Sequence, residues 1–189
     1  MTKSIILVGV GGQGTILTSS ILSKGLIEMG YDVKMSEIHG MSQRGGTVVT
    51  QIKYGEKVYS PIIGEGEADI IIAFEKLEAL RILPYLKKGG TLVTDVREIL
   101  PMPVLTGAAE YPTNAIEDLK KVVENVVVIN ASAEAEKLGN MKAQNIVLLG
   151  ALTKQLGLDN IDWKDLVAKS VPAKLVDLNL AAYEVGYNM

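Results

Sequence analysis

Three features of this sequence predict an α/β fold, three-layered and Rossmann-like, with a mainly parallel sheet between helices. An apolar strand from Ser4 to Val8 runs directly into Gly9-Val10-Gly11-Gly12-Gln13-Gly14 and then into helical spacing. Short apolar runs then alternate with helical segments as far as Asn130, the rhythm of strands joined by crossover helices. From Ser132 onward the spacing is helical throughout. With 189 residues and no linker or repeat, the chain suits one domain spanning 1–189.

The first helix is predicted from Gln13 to Met29. Leu17, Ile21 and Gly25 recur every four residues, with Leu22, Leu26 and Met29 beside them, and Gly30 stops the run. Asp32 to Ser36 follows as a second strand, so the chain opens as a βαβ unit with parallel strands. Thr47 to Tyr54 is rich in β-formers, and Gly55-Glu56 separates it from Lys57-Val58-Tyr59-Ser60, a spacing that predicts an added hairpin. Ala68 to Phe74 is a buried strand and Glu75 to Leu86 a helix broken near Pro84. Lys88-Gly89-Gly90 is a turn, and Thr91 to Asp95 the next strand. Pro101, Pro103, Gly107 and Pro112 make Ile99 to Thr113 irregular, with one short strand expected at Val104-Leu105. Helical spacing returns from Asn114 to Glu124, and Val126 to Asn130 is the last strand. Beyond it, Met141 to Leu156, Asp162 to Lys169 and a segment opened by Pro172 form a helical cap.

Composition excludes several functions. Hydrophobic residues make up 48% and charged ones 22%, with a net charge of −3 and no basic stripe, so nucleic acid is not an expected partner. No apolar run approaches the ~18 residues of a bilayer span, and the N-terminal run ends in a glycine turn rather than a cleavage site. The chain therefore reads as cytoplasmic, without a membrane partner. Zero cysteines and one histidine leave no thiolate for an iron–sulfur cluster and no ordinary metal-ligand set.

Gly9, Gly11 and Gly14 fit G-x-G-x-x-G between strand and helix. The first turns the chain, the second admits a ligand to the backbone, and the third allows close helix packing. With Gly12 and Gln13 they form a candidate anion-binding loop, since free N–H groups and the helix dipole favour a phosphate. Glu37, ending the second strand, stands where a dinucleotide enzyme places its ribose-binding acid. A stand-alone NAD-type module is thus an alternative, set against glycines that merely make a tight turn. A methyltransferase-like enzyme draws only on the turn Tyr85 to Gly90. In the glycine-flanked segment Glu37 to Gly46, His39 is the one side chain that titrates near neutrality, a candidate acid or base or a plain hydrogen-bonding residue. Arg44 could clamp a carboxylate or phosphate, or pair with Glu37 or a neighbouring subunit. Glu75, Glu78 and Arg81 share a helical face and are expected to be an exposed ion pair without chemistry. Gly139, Asn140, Asn145 and Gly150 fall in or near helices that disfavour them, which points to close packing or a buried amide contact.

Gly9 to Gly14 taken with Glu37 to Gly46 resemble the gamma-type subunit of the 2-oxoacid:ferredoxin oxidoreductases, on the side of the indolepyruvate enzymes. The string His39-Gly40-Met41-Ser42-Gln43-Arg44-Gly45-Gly46 is its most specific part. The likeness continues through Ser60-Pro61, Glu65-Gly66-Glu67-Ala68-Asp69, Phe74 to Arg81, Tyr111-Pro112 and Gly139-Asn140. The resemblance implies a heteromeric enzyme that oxidatively decarboxylates a 2-oxo acid to an acyl-CoA, with electrons passed to ferredoxin. It also implies that thiamine diphosphate, Mg and 4Fe-4S clusters sit in a larger partner subunit, with CoA as co-substrate. This chain, which lacks both cysteines and a Gly-Asp-Gly metal signature, would then supply no cofactor of its own. On that reading His39 and Arg44 would help position substrate carboxylate or CoA phosphates.

Overall fold

The computed structural model describes residues 2–40 and 45–189. Its elements in chain order are β1 (Lys3–Val10), α1 (Thr15–Glu28), β2 (Asp32–His39), β3 (Thr47–Gly55), β4 (Ala68–Ala73), α2 (Lys76–Ile82), β5 (Leu86–Asp95), α3 (Met102–Leu105), α4 (Ala115–Val122), β6 (Asn125–Ile129), α5 (Ala131–Lys137), α6 (Gln144–Leu156), α7 (Trp163–Ser170) and α8 (Val176–Tyr187). The six strands form one sheet in the order β2-β3-β1-β4-β5-β6. β1, β4, β5 and β6 are mutually parallel, and only β3 runs against the rest.

The strands at the centre are apolar without alternation because both sheet faces are covered. Ile5 and Leu7 of β1, with Ile70 and Ile72 of β4, enter the core built by α1, α5, α6, α7 and α8. Ile6 and Val8, with Ile71 and Ala73, enter the smaller core under α2 and α4. Each fully buried Ile or Leu contributes about 1.5–3 kcal/mol, so the four central isoleucines Ile5, Ile6, Ile71 and Ile72 anchor both layers at once. The C-terminal helices are therefore a full layer of the sandwich rather than a cap appended to it.

α6 and α8 meet backbone to backbone. A Cβ at Gly150 would overlap the Tyr183 carbonyl, and one at Gly186 the Val147 carbonyl. Gly150 is thus close-packing glycine, as its unfavourable helical position suggests. Gly139, with φ of 100°, instead ends α5, and Asn140 caps the next turn by accepting the Lys142 N–H at 3.0 Å.

Three expectations need correction. The hairpin partner of β3 is β2 rather than Lys57–Ser60: with β2 on one edge and β1 on the other, β3 has no free edge left. Residues 57–60 are pinned elsewhere, since the Asp32 carboxylate accepts the Val58 N–H at 2.9 Å. For the same reason β1 and β2 are parallel but not neighbours, because β3 lies between them. Finally, Val104-Leu105 is helical, within α3, whose first turn accommodates Pro103 because the early N–H groups of a helix have no partner there. The Lys88-Gly89-Gly90 turn survives as an irregularity within β5, where Gly89 has φ of 76° and the register with β4 shifts.

Candidate active-site rim

In an open parallel sheet the ligand edge lies beyond the carboxyl ends of the strands. β1, β4 and β5 end there in the Gly9–Gly14 loop, in Phe74-Glu75 and in Asp95 to Arg97. A buried chain of amides ties these ends together. Gln13 Oε1 accepts the Val10 N–H at 2.7 Å, while its Nε2 donates to the Phe74 carbonyl at 2.7 Å. The same carbonyl accepts from Gln144 Nε2 at 3.0 Å, which also donates to Asp95 Oδ2 at 2.7 Å. Gln144 Oε1 in turn accepts from the Arg97 guanidinium. Two glutamines thus lock the crest of the glycine loop to two further strands and to the first turn of α6.

Within the loop the glycines do different work. A Cβ on Gly9 would lie 2.9 Å from the Phe74 Cβ, so Gly9 permits the close approach of β1 to β4. The Gly11 N–H donates to the Gly46 carbonyl at 2.8 Å, which joins this loop to the second glycine-rich segment. Gly12, at φ 104°, forms an open crest with no atom of the described residues within 4 Å of a Cβ position. Gly14 caps α1 at φ 82° and abuts Asn145 of α6, whose Nδ2 would stand 2.6 Å from a Cβ there. Among the described residues no side chain caps α1. The buried amide contact anticipated for Asn145 is this one: Nδ2 points at the Gly14 carbonyl at 3.4 Å, and its own carbonyl receives the Thr18 hydroxyl at 3.3 Å.

His39 ends β2 on the same rim. It is exposed, with Nδ1 3.0 Å from the Gly40 carbonyl oxygen, and it lines a cleft of about 380 Å³ with Gly11, Gly12, Gly14, Ile16 and Val48. Arg44 lies outside the described residues. The structure thus brings His39 to the glycine loop, turns the Gln13 side chain into the brace beneath it, and leaves the Gly12 crest facing outward. Glu37 does not reach the loop: it pairs with Thr50 of β3, which pairs with Leu7, so it sits two strands from β1 and below the rim. At about 4.8 Å per strand that doubles the lateral distance a ribose-binding acid normally spans.

Buried acids lie beneath this rim as well. Glu75, expected in an exposed pair, is completely buried. Its Oε2 accepts the Leu77 and Glu78 N–H groups at 2.7 and 2.9 Å, which caps α2, and its Oε1 accepts from Ile99 N–H at 3.2 Å and from the Tyr111 hydroxyl. One carboxylate oxygen therefore ties both ends of the 99–111 loop. Burial, and then the bond to Glu75, push the Tyr111 phenol well above its ordinary range. Glu78 is buried as well, while its Arg81 partner, 2.6 Å away, is half exposed. Burial raises the Glu78 carboxyl. Asp95 is likewise fully buried, and burial pushes its carboxyl up to about 6 against the bonds from the Arg97 and Ser132 N–H groups and the Gln144 amide. The signal that could have found Glu75, Asp95 and Arg97 is positional: each lies at or just beyond the carboxyl end of a parallel strand, at the ligand edge.

Among the described residues no helix is long and apolar enough to cross a membrane. The model of the family "Pyruvate ferredoxin/flavodoxin oxidoreductase" matches residues 4–189. Indolepyruvate oxidoreductase subunit IorB of Thermococcus kodakarensis is 40% identical, over 97% of this chain and 93% of its own. The crystal structure of pyruvate oxidoreductase subunit PORC from Thermotoga maritima superposes with a TM-score of 0.73 over 99% of this chain and 96% of that one, at 18% identity. A 2-oxoglutarate:ferredoxin oxidoreductase from Magnetococcus marinus, with 2-oxoglutarate, coenzyme A and succinyl-CoA bound, superposes with a TM-score of 0.69. Its matching region covers 99% of this chain but 30% of that much longer one, at 20% identity. A stand-alone dinucleotide module is disfavoured both by this full-length likeness and by the distance of Glu37 from the loop. From residue 4 to its last residue, this chain belongs to the pyruvate ferredoxin/flavodoxin oxidoreductase family.

Proposed function

We propose that this chain is the small subunit of a 2-oxoacid:ferredoxin oxidoreductase, acting on indolepyruvate or another aryl pyruvate. The single observation that carries the reading is the 40% identity to an indolepyruvate oxidoreductase subunit along 97% of the chain. In the overall reaction the carboxylate of the 2-oxo acid leaves as CO2 and two electrons pass to ferredoxin. CoA thiol takes the acyl group and one proton is released. Thiamine diphosphate, Mg and 4Fe-4S clusters belong to a larger subunit, because a chain without cysteine cannot ligate a cluster through thiolates. CoA enters as co-substrate.

The part left to this chain is shape and charge. The braced loop presents its open Gly12 crest, with His39 on one flank, to the face where the larger subunit docks, and it helps orient substrate carboxylate or CoA phosphates. Arg44 adds a cation in the segment that follows His39. The complex works in the cytoplasm.

The test is to produce the chain alone and together with the larger subunit. 2-Oxo acid-dependent and CoA-dependent reduction of ferredoxin is expected only from the pair, with indolepyruvate preferred over pyruvate and 2-oxoglutarate. Turnover by the isolated chain would overturn the division of labour, and a preference for pyruvate would overturn the substrate assignment.

A further inference from the structure

The turn Lys88-Gly89-Gly90 lies at the edge of the sheet opposite the glycine loop, and the function proposed above leaves it without a role. Between the pairs Ala68–Leu86 and Ile70–Thr91, four residues of β5 stand opposite the single residue Asp69 of β4, so Lys87 to Gly90 bulge out of the ladder around that carboxylate. The bulge is fixed on both sides. The Gly89 carbonyl accepts from Asn125 Nδ2 at 3.1 Å, and Gly90 packs so closely on β4 that a Cβ there would stand 3.0 Å from the Asp69 carbonyl oxygen.

Beneath the bulge is a cavity of about 290 Å³, bounded by Lys3, Tyr54, Asp69, Lys87, Lys88 and the last turn of α6. Asp69 is already committed. Its Oδ2 accepts the Ser4 N–H at 3.0 Å, and its Oδ1 lies 3.1 Å from Lys87 Nζ and 4.0 Å from Lys3 Nζ. Lys88 has no such partner among the described residues. Three ammonium groups therefore face one carboxylate, and the partial charge of about −0.5 at the C-terminal end of α6 leaves the balance positive.

Tyr54 is an independent sign of a ligand. It is only 6% exposed, yet among the described residues its hydroxyl meets no hydrogen-bond partner, a state that costs stability unless something else supplies an acceptor. Burial first, then Tyr31 and Asp69, push its phenol up to about 12, so at neutral pH it stands at the cavity wall as an O–H donor. The remaining walls are apolar: Ile5, Ile70 and Leu156.

We infer that this cavity is a binding site for a small organic carboxylate with an apolar body, its carboxylate held by the Tyr54 hydroxyl and the Lys88 ammonium, its body set against Ile5, Ile70 and Leu156. The apolar walls and the single free ammonium suit a monoanion better than a phosphate, whose second charge would face Asp69. The site stands apart from the reaction. Along β1 it is seven residues from the glycine loop, roughly 23 Å, so its ligand does not compete for the space at the Gly12 crest.

The test uses the whole chain, with and without the larger subunit, with benzoate as the probe and saturation-transfer NMR as a readout that needs no turnover. Benzoate is expected to bind, and benzyl alcohol, which has the ring without the charge, is not. Tyr54→Phe keeps the ring and should weaken benzoate binding about tenfold or more, the size of one hydrogen bond to a charged group. Lys88→Gln, at an exposed position where the fold is not at stake, should weaken it about threefold, in the range of an exposed ion pair. CoA should not displace the probe. Benzoate bound equally well by both variants, or displaced by CoA, would place it elsewhere and overturn the site. Inorganic phosphate binding in its stead, or benzyl alcohol binding as well as benzoate, would overturn the carboxylate assignment, and no signal at millimolar benzoate would overturn both.

Discussion

Gly14→Ala isolates what holds the glycine loop against α6. Two separate costs are built into that position. The backbone sits at φ 82°, where a Cβ costs about 1 kcal/mol or somewhat more. The new methyl would also stand 2.6 Å from Asn145 Nδ2 and 2.9 Å from its Cγ, an overpacking of the kind that costs about 1–3 kcal/mol. The single variant should therefore lose about 2–4 kcal/mol. Asn145→Ala alone loses packing and one long hydrogen bond to the Gly14 carbonyl, about 1–2 kcal/mol. The two losses must not add. With Asn145 truncated the methyl has room, so the double variant should escape the overpacking portion of the Gly14→Ala loss and keep its backbone portion together with the Asn145→Ala loss. A coupling of at least about 1 kcal/mol in favour of the double variant is expected from urea unfolding curves of equal slope. If the double variant is less stable by the plain sum of the singles, to within about 0.5 kcal/mol, the Gly14–Asn145 contact is not what selects glycine there.

Asp95 makes stability depend on pH. Burial raises its folded carboxyl from 3.8 to about 6, so the folded state binds more protons than the unfolded one between those values. Stability should fall as pH rises from about 4 to 6, by up to about 3 kcal/mol for the two-unit shift, and then level off; Asp95→Asn should flatten that slope in unfolding curves taken across pH. Tyr111→Phe removes the hydroxyl donor to buried Glu75 and should cost about 1.5–3 kcal/mol. Amide exchange should accelerate in residues 99–111, and unchanged exchange there would refute the tie. Gly186→Ala drives a methyl into the Val147 carbonyl and should lower stability by about 2 kcal/mol or more. Gly40→Ala, where a Cβ meets nothing within 4 Å among the described residues, should leave the melting temperature unchanged.

Sequence periodicity revealed those parts of the fold whose cause is local. The strand Ser4 to Val8 and the run Ile70 to Phe74 are apolar on consecutive residues because two helical layers cover the sheet, and that signature needs no knowledge of partners. Helix ends at Gly30 and Gly157, both at positive φ, are equally local. Strand pairing is not. Thr47–Tyr54 has β-forming residues whichever neighbour it takes, and the nearby Gly55-Glu56 makes a short hairpin look natural. Competition for edges decides the matter: β3 can fill the space between β2 and β1 with a full ladder on each side, whereas Lys57–Ser60 offers four residues on one.

The site was legible in its backbone and hidden in its side chains, for a related reason. A glycine-rich turn after a first strand announces itself, and His39 stands out as the only histidine. The glutamines that set the loop's shape, Gln13 and Gln144, lie 61 and 70 residues from Phe74 along the chain and meet at its carbonyl. Neither glutamine carries a charge; Gln13 fills a variable position of the G-x-G-x-x-G pattern, and Gln144 lies in no motif. Yet a buried carbonyl at the end of a central strand must find donors, and the short N–H supply at a strand-to-helix turn cannot provide them all. Amides entering from β1's loop and from the start of α6 meet that demand, and in doing so they set the loop crest and the Arg97 guanidinium in one rigid frame. A substitution at either glutamine should therefore be felt on both flanks of the Gly12 crest, although neither side chain lies on its surface.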